Sequence, residues 1–283
     1  MTARRQSRPA PAVPAATRDL LRRLAARHET PAFVEGDPLQ CLRGVRPSGN
    51  LETAAFVAAS LSYGSRAQFL PKIRCILDEA GGDVHGWVLS GAFRHSFRPG
   101  DAACFYRLFS CGLMADFLSA LRRLLQRHGT LGGYLRAHGA ATGPAAVRAL
   151  CDAFAGKVSP VVPANDTSAC KRLCLFLRWM ARDGSPVDFG LWSGWFDKST
   201  LLVPLDVHVV RQARRLGLLR SDAATMRAAR QLTARLAEVF PGDPCKGDFA
   251  LYGLGILPPP RTPRNTRPPG FTQTGLRGTA ADC

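Results

Sequence analysis

Apolar residues recur at helical spacing along most of this chain. Leu20, Leu21, Leu24 and Ala25 form the apolar side of a short helix that ends by residue 28. The same pattern predicts helices over residues 51–63 (N-cap Asn50), 66–79, 102–109 (N-cap Asp101), 113–128 and 145–154. No segment alternates apolar and polar residues convincingly, as a half-buried strand would. The pattern therefore predicts an all-α fold of helices joined by short loops.

A polar segment, KVSPVVPANDTSA, interrupts the helical pattern after Gly156. Its two prolines favour extended backbone, so we place a boundary between two helical lobes here, 17–160 and 161–257. Residues 1–16 and 258–283 are rich in proline and arginine and contain few aromatic residues, so we predict that both are disordered basic tails.

The second lobe opens with a helix that carries both apolar and basic residues. One of the polar residues at 166–168 is predicted to cap it. Its inward-facing stripe follows helical spacing: Leu173, Phe176, Leu177 and Met180. Lys171, Arg178 and Arg182 lie on another face, which is either a solvated surface or a contact for a polyanion.

A further helix is predicted from about Val207 to Leu216, with Gly217 ending it and Asp206 at its N-cap. Aspartate is a common N-cap for local reasons, so a structural role is the simplest interpretation. The same position also holds an ionised carboxylate at the positive end of the helix dipole and directs it outward. Asp206 is therefore a candidate for a site that needs a fixed negative charge.

Charge adds a candidate partner to this picture. The 283 residues carry a net charge of +17, only part of which lies in the tails. Such an excess favours a nucleic acid over an anionic membrane, and an acidic protein partner stays open. Trp192, Trp195 and Phe196 could stack on an unpaired base, but filling the gap between two lobes is the first interpretation.

The nine cysteines follow no close repeated spacing, which indicates reduced thiols in a cytosol. Cys170 and Cys174 lie one helical turn apart, yet no second ligand pair follows, so we expect both to be buried thiols. We predict no metal, no iron–sulfur cluster and no other cofactor. No apolar run is long enough to span a membrane. The expected location is the bacterial cytoplasm, in association with the nucleoid, and the expected state is a monomer.

Several segments together resemble one family of bacterial proteins. They are FVEGDP, FRHSFRPGD, SACKRLCLFLRWM, VDFGLW, VPLDVHVVRQARRLGLL and DPCKGDFALYGLGI. From about residue 17 to 257 they look like the "domain of unknown function 2400" family. That family is in turn similar to the helix-hairpin-helix DNA glycosylases of base excision repair, most closely their archaeal 8-oxoguanine branch.

The resemblance implies a two-lobed helix-hairpin-helix fold and roles for particular residues. Lys171 matches the lysine that attacks the sugar of an extruded nucleotide, and Asp206 matches the aspartate that assists it. The glycine usual in the hairpin turn before the lysine is absent from residues 165–170. The nucleic-acid contacts that we expect around this pair are Arg172, Arg178, Arg182, His208 and Arg211.

The chemistry of this pair is consistent with base removal. Breaking an N-glycosidic bond develops positive charge on the sugar, which a carboxylate stabilises, and an amine can capture the sugar as a Schiff base. The amine must first lose its proton, and Arg172 and Arg178 are cationic neighbours that would favour that loss. We predict a DNA glycosylase with a possible strand-cleaving lyase step. The alternative is a non-catalytic nucleic-acid-binding module whose lysine contacts phosphate.

Overall fold

The computed structural model describes residues 11–156 and 158–256, which are mostly helical. The helices of this part of the chain are α1 (Ala15–His28), α2 (Ser48–Leu61), α3 (Arg66–Glu79), α4 (Val84–Ser90), α5 (Cys111–His128), α6 (Leu131–Ala137), α7 (Gly143–Ala153), α8 (Lys171–Ala181), α9 (Val207–Arg215), α10 (Met226–Ala237) and α11 (Lys246–Ile256). A two-stranded antiparallel hairpin, β1 (Cys104–Tyr106) and β2 (Phe109–Ser110), accompanies them. The prediction of an all-α fold is confirmed, with this hairpin as a small addition.

Helix α2 lies at the centre of the fold. Every residue from Asn50 to Leu61 is buried, and its alanines allow neighbouring helices to approach closely. It packs against α4 on one side and α8 on another, while α1 packs against α11. The first and last described helices therefore lie together, and the apolar core runs continuously between residues on both sides of position 160. The division into two lobes stays a prediction.

Several predicted helix boundaries are confirmed and one predicted cap is wrong. Helix α3 has the predicted bounds, and α9 begins after Asp206 and is followed by Gly217 at φ 68°. Asn50 is not an N-cap, because α2 already begins at Ser48. Its side chain instead donates to the carbonyl of Gly82 at 2.8 Å and accepts from the N–H of His85. The amide therefore links α2 to the start of α4.

The predicted helix over residues 102–109 is wrong, because this segment forms the hairpin. Asp101 does not cap a helix; its carboxylate accepts from the N–H of Ala103 at 2.8 Å. Arg107 adopts the left-handed conformation at φ 51°, which closes the turn between the strands. The aromatic residues of this segment, Phe105, Tyr106 and Phe109, are buried and pack into the core from a strand pair, whereas Leu108 at the turn is 80% exposed.

The N-cap prediction for α8 is also wrong. The residue before Lys171 is Cys170, which adopts φ 45° and makes no side-chain cap. This left-handed conformation is one that glycine adopts most easily, and here a cysteine occupies it. Cys170 and Cys174 are both buried, as predicted.

The predicted disordered tail, residues 1–16, includes one residue that the structure anchors, Val13, while the other residues of 11–16 are exposed. Val13 is buried, and its N–H donates to Oε2 of Glu238 at 2.9 Å. Helix α1 then begins at Ala15. The remainder of the two predicted tails, residues 1–10 and 258–283, lies outside the described residues.

Two features bear on membranes and metals. Within residues 11–156 and 158–256, no helix combines the length and the apolar character needed to cross a membrane. In the same residues, no three His, Cys, Asp or Glu side chains are grouped so as to hold a metal ion.

Candidate functional site

Lys171 and Asp206 lie at the starts of two helices and meet as an ion pair. Nζ of Lys171 donates to Oδ2 of Asp206 at 2.8 Å. The other carboxylate oxygen, Oδ1, accepts from the N–H groups of His208 and Val209, both at 2.9 Å. The aspartate therefore caps α9 with one oxygen and binds the amine with the other. The two side chains are 39% and 27% exposed, so the pair remains accessible to a bound molecule.

The surroundings keep Asp206 ionised. Burial acts to raise the pKa of this carboxyl group, but the Lys171 ammonium and the N–H of Val209 act in the opposite direction and prevail. The pKa of Asp206 consequently lies below its ordinary value. A negative charge is thus present beside the lysine at neutral pH.

A cavity of about 470 Å³ opens directly beside this pair. Roughly 300–1,000 Å³ is typical of pockets that hold small ligands. Residues from the first part of the chain form one side: Phe33, Asp37, Pro38, Ser62, Gly64, Arg66 and Phe69. Residues of α8, α9 and α11 form the other side, including Lys171, Asp206, Gln212, Asp248 and Tyr252. The ion pair therefore borders a space between the N-terminal and C-terminal parts of the fold.

Five of the seven predicted site residues border this cavity. They are Lys171, Arg178, Asp206, His208 and Arg211. Arg172 does not, because its guanidinium donates to the carbonyls of Ser60 at 2.8 Å and Pro160 at 2.9 Å. It therefore joins α8 to the end of α2, and the charged group nearest to the Lys171 amine is the Asp206 carboxylate.

Arg178 and Arg182 do not form an exposed basic face, and this corrects the expectation from the sequence. Both side chains are 1% exposed. Arg178 binds Asp188 and Asp248 through two of its nitrogens. The four carboxylates that pair with these two arginines come from separate parts of the chain: Glu29, Asp188, Asp243 and Asp248. A phosphate could reach either guanidinium only if this buried cluster opened.

Asp248 is a cavity residue that the sequence-based hypothesis did not single out. Its carboxylate accepts from Arg178 on α8, and its side chain is 15% exposed. Burial raises the pKa of this carboxyl group to about 6, although the Arg178 guanidinium acts against that rise. Burial likewise raises the pKa of Asp37, which also lines the cavity. Asp37 lies in FVEGDP and Asp248 in DPCKGDFALYGLGI, two of the segments that carry the family resemblance. Their place in these segments is the sequence signal from which both site residues could have been found.

The loop aromatics have the structural role that was placed first. Trp192 is buried, and its Nε1 donates to Oε1 of Glu52 in α2 at 2.9 Å. Its ring packs against Phe176 of α8 and against Trp195 and Phe196 of its own loop. These rings join α2 and α8 in the core, and none of them borders the cavity.

Comparison with known proteins supports one family assignment. No curated protein and no solved structure matches the chain. The family model described as "Protein of unknown function (DUF2400)" matches residues 37–257, which include both partners of the ion pair and the carboxylates at 37 and 248. The chain therefore belongs to the DUF2400 family.

Proposed function

We propose that this protein is a DNA glycosylase that removes a damaged or modified base and then cleaves the strand by a lyase step. The observation that carries the proposal is the pairing of Lys171 with Asp206 at 2.8 Å on the wall of a cavity of about 470 Å³. The similarity of the family to helix-hairpin-helix glycosylases is part of this proposal, as are the two-lobed arrangement and a place on bacterial DNA in the cytoplasm. An 8-oxoguanine-like lesion is the first substrate to test by analogy.

Base removal needs three things of a protein, and residues of the cavity are suited to each. An extruded base needs a pocket with aromatic or apolar walls, which Phe33, Phe69 and Tyr252 provide. The positive charge that develops on the sugar needs a fixed negative group, which Asp206 supplies. Capture of the sugar needs an amine within reach of the same atoms, which is Lys171.

The proposed reaction uses these two side chains in sequence. The Lys171 ammonium group first gives up a proton to solvent water, and the Asp206 carboxylate in contact with it stays ionised. Nζ then attacks C1′ of the sugar, while the bond from C1′ to the base breaks with its electron pair on the base, which takes up a proton. Opening of the sugar ring leaves a Schiff base between Nζ and C1′. β-Elimination from that intermediate cleaves the strand on the 3′ side.

Helix α9 supplies the polar surface beside the cavity. His208, Arg211, Arg214 and Arg215 are exposed along it, and none of them is in an ion pair within the described part of the chain. Arg211 borders the cavity, and Arg214 and Arg215 follow it one turn further along α9. Exposed arginines without a carboxylate partner are suited to the phosphates that flank an extruded nucleotide.

The direct test is borohydride trapping on a panel of duplexes, each holding one modified base. Borohydride reduces the Schiff base to a stable amine, so a trapped protein–DNA complex reports the covalent step. We expect a trapped complex and release of free base with at least one lesion, beginning with 8-oxoguanine. If no lesion in a broad panel yields either product, the glycosylase proposal is wrong.

Replacing Asp206 with asparagine is expected to slow base release by about 10²-fold, because the neutral amide cannot stabilise charge on the sugar. The amide oxygen can still cap α9, so the free energy of unfolding should fall by about 1 kcal/mol or less. Single-turnover base release and urea unfolding measure the two effects. Asp183→Asn is the matched control, because Asp183 pairs with Lys198 on the surface away from the cavity. Normal base release by Asp206→Asn would mean that the aspartate is only a helix cap.

Affinity for duplex DNA is expected to fall steeply with salt. If about 5 phosphates are neutralised, the slope of log affinity against log salt is near −4 to −5. Arg211→Ala should make that slope shallower by about 1, as loss of one phosphate contact does. Fluorescence anisotropy at several salt concentrations measures the slope, with Arg22→Ala, on the surface of α1, as the control. A flat salt response would contradict nucleic-acid binding altogether.

The ion pair itself favours a second candidate, the non-catalytic nucleic-acid-binding module. A lysine held by a helix-capping aspartate can fix the relative positions of α8 and α9 without any chemistry. In that case Lys171→Gln changes affinity for DNA or stability, and the wild-type protein releases no base.

A further inference from the structure

The residue directly before Lys171 is a cysteine in an unfavourable backbone conformation. Cys170 has φ 45° and ψ 39°, in the left-handed region that glycine adopts freely and that other residues rarely adopt. Strain of this kind is typical of functional positions, where the surrounding structure maintains it. A glycine would relieve the strain, so its persistence beside the proposed nucleophile indicates that the cysteine side chain itself is used.

The Cys170 side chain lies against a second thiol. Cys151 belongs to α7 and Cys170 directly precedes α8, and these two helices pack against each other. Their thiol groups are close enough to interact, and the two residues are 1% and 3% exposed. Cys174, one turn into α8, instead donates to the carbonyl of Ala169 at 3.5 Å. Cys151 is therefore the partner available to Cys170.

The surroundings make the two sulfur atoms chemically different. Interaction with the Cys151 thiol lowers the pKa of Cys170 to about 7, although burial acts against that change. The Ser168 hydroxyl and the Arg172 guanidinium act in the same direction as the thiol. The same contact raises the pKa of Cys151, and burial adds to that rise. Near neutral pH, Cys170 is thus the nucleophilic thiolate and Cys151 keeps its proton.

The cover over this pair is thin. No residue from 158 to 169 lies in a helix, and Ala164, Asn165, Thr167 and Ser168 are exposed. The Ser168 hydroxyl lies 3.7 Å from the Cys170 sulfur. One exposed side chain therefore separates this sulfur from solvent, which leaves a short path for an oxidant as small as hydrogen peroxide.

We propose that hydrogen peroxide joins Cys151 and Cys170 in a reversible disulfide and that this bond displaces Lys171 from its contact with Asp206. The Cys170 thiolate attacks one peroxide oxygen, so an S–O bond forms as the O–O bond breaks, and the hydroxide that leaves takes up a proton. The Cys151 sulfur then attacks the Cys170 sulfur, and its proton leaves with the hydroxyl group as water. Two thiols are oxidised, and one peroxide is reduced to two waters.

The displacement follows from the length of the new bond. A disulfide holds its sulfurs about 2.05 Å apart, closer than any non-bonded contact, so one chain segment must move. Cys151 is held within α7, whereas Cys170 follows a segment without helix, so the start of α8 is the side that moves. Lys171 is the first residue of α8, and its Nζ lies 2.8 Å from Asp206. Misplacement of a positioned group by about 1 Å can cost about 10²-fold in rate.

Peptide mapping tests the disulfide, which does not rest on the proposed function. The reduced protein is treated with hydrogen peroxide, alkylated, digested without reductant and analysed by mass spectrometry. We expect the Cys151–Cys170 cross-link to form while the exposed Cys75 and Cys104 can still be alkylated, and dithiothreitol should reverse it. Cys174→Ala is the matched control and should still form the cross-link. Oxidation of Cys75 and Cys104 with Cys151 and Cys170 still reduced, or a cross-link through Cys174, would overturn the proposal.

Two variants remove the disulfide in different ways. Cys170→Gly lacks the thiolate, and it should fold because glycine adopts the left-handed conformation freely. Cys151→Ala should leave Cys170 as a sulfenic acid that dimedone captures. Neither variant should form the cross-link.

The signal of Lys171 reports the displacement without any enzymatic reaction. Reductive methylation with ¹³C keeps the charge of each lysine and gives it an NMR signal, and the signal missing from Lys171→Gln identifies Lys171. Peroxide should shift this signal in the wild type, dithiothreitol should restore it, and Cys170→Gly should show no shift. An unchanged signal in cross-linked protein would contradict the displacement.

Base release is the one readout that rests on the proposed function. In a protein that releases a base, oxidation should slow the release by about 10²-fold, and dithiothreitol should restore it. Unchanged release by cross-linked protein would overturn the displacement even though the glycosylase is correct. A cross-link with a shifted Lys171 signal, in a protein that releases no base from any lesion, would support the thiol pair and refute the glycosylase.

Discussion

Lys171→Gln is expected to abolish the borohydride-trapped complex and to reduce base release below detection. The substitution removes the amine that would form the covalent bond, and a glutamine amide cannot form a Schiff base. Folding should be preserved, because the Lys171 side chain is 39% exposed and Asp206 keeps both hydrogen bonds to the start of α9. Trapping on the lesion duplex and duplex binding by anisotropy measure the chemistry and the affinity separately.

Lys198→Gln is a closely matched control for that experiment. Lys198 is also a lysine paired with an aspartate, Asp183, and its side chain is 37% exposed, but it does not border the cavity. The Lys198→Gln variant should form the borohydride-trapped protein–DNA complex to the same extent as the wild type. Persistent trapping by Lys171→Gln would assign the nucleophile to another amine, and unchanged base release without trapping would remove the lyase step from the proposal.

Arg182→Met is expected to lower the free energy of unfolding by about 3–5 kcal/mol, the range for breaking one side of a buried ion pair. The guanidinium binds Asp188, Asp243 and Glu29 at 2.6 to 2.9 Å, and its side chain is 1% exposed. Methionine fills much of the same volume but leaves these carboxylates without their shared cation. Urea unfolding measures the loss.

Arg214→Met on the exposed side of α9 is the control, and its unfolding free energy should change by about 0.5 kcal/mol or less. The loss in free energy of unfolding caused by Arg182→Met should also become smaller as the pH is lowered. Without the cation, the folded-state pKa of the buried carboxyl groups rises, so protonation favours the folded variant below that pKa. A loss in free energy of unfolding under about 1 kcal/mol for Arg182→Met would contradict the structural role of the cluster. A loss that becomes larger at lower pH would also contradict it.

The helix start at Asp206 could be predicted from local signals, whereas the choice of Lys171 came from the family resemblance, and the cap predicted for its helix is wrong. Asp206 follows a proline-containing extended segment and precedes a periodic helix, so its capping role could be read directly.

The same local reasoning placed Arg178 and Arg182 on a surface. Helical spacing indicates which face a residue shares, but the carboxylates that pair with these arginines lie far away in the sequence. Asp248 is 70 positions from Arg178, and Glu29 is further still from Arg182.

The hairpin was missed for a related reason. CFYRLFS is too short to show alternation, and its aromatic residues fit a helix equally well until Tyr63 is brought against them. Arg107 adopts the left-handed conformation, which arginine does not favour, so its sequence position gives no sign of the turn. The segments FVEGDP, VDFGLW and DPCKGDFALYGLGI did point to the site, because they supply the acidic side chains that line the cavity or pair with α8.

The packing of α1 against α11 has a consequence for how the chain acquires its structure. The N–H of Val13 reaches a carboxylate 225 residues away, and Arg172 reaches a carbonyl 112 residues away. Helical proteins usually fold quickly because their contacts are local, whereas these contacts require very large loops to close before any stabilisation is gained. During synthesis, α1 and α2 leave the ribosome long before their partners exist. The side of α2 that packs against α8 must then stay uncovered until α8 emerges, and that interval is when the nascent chain is most exposed to aggregation.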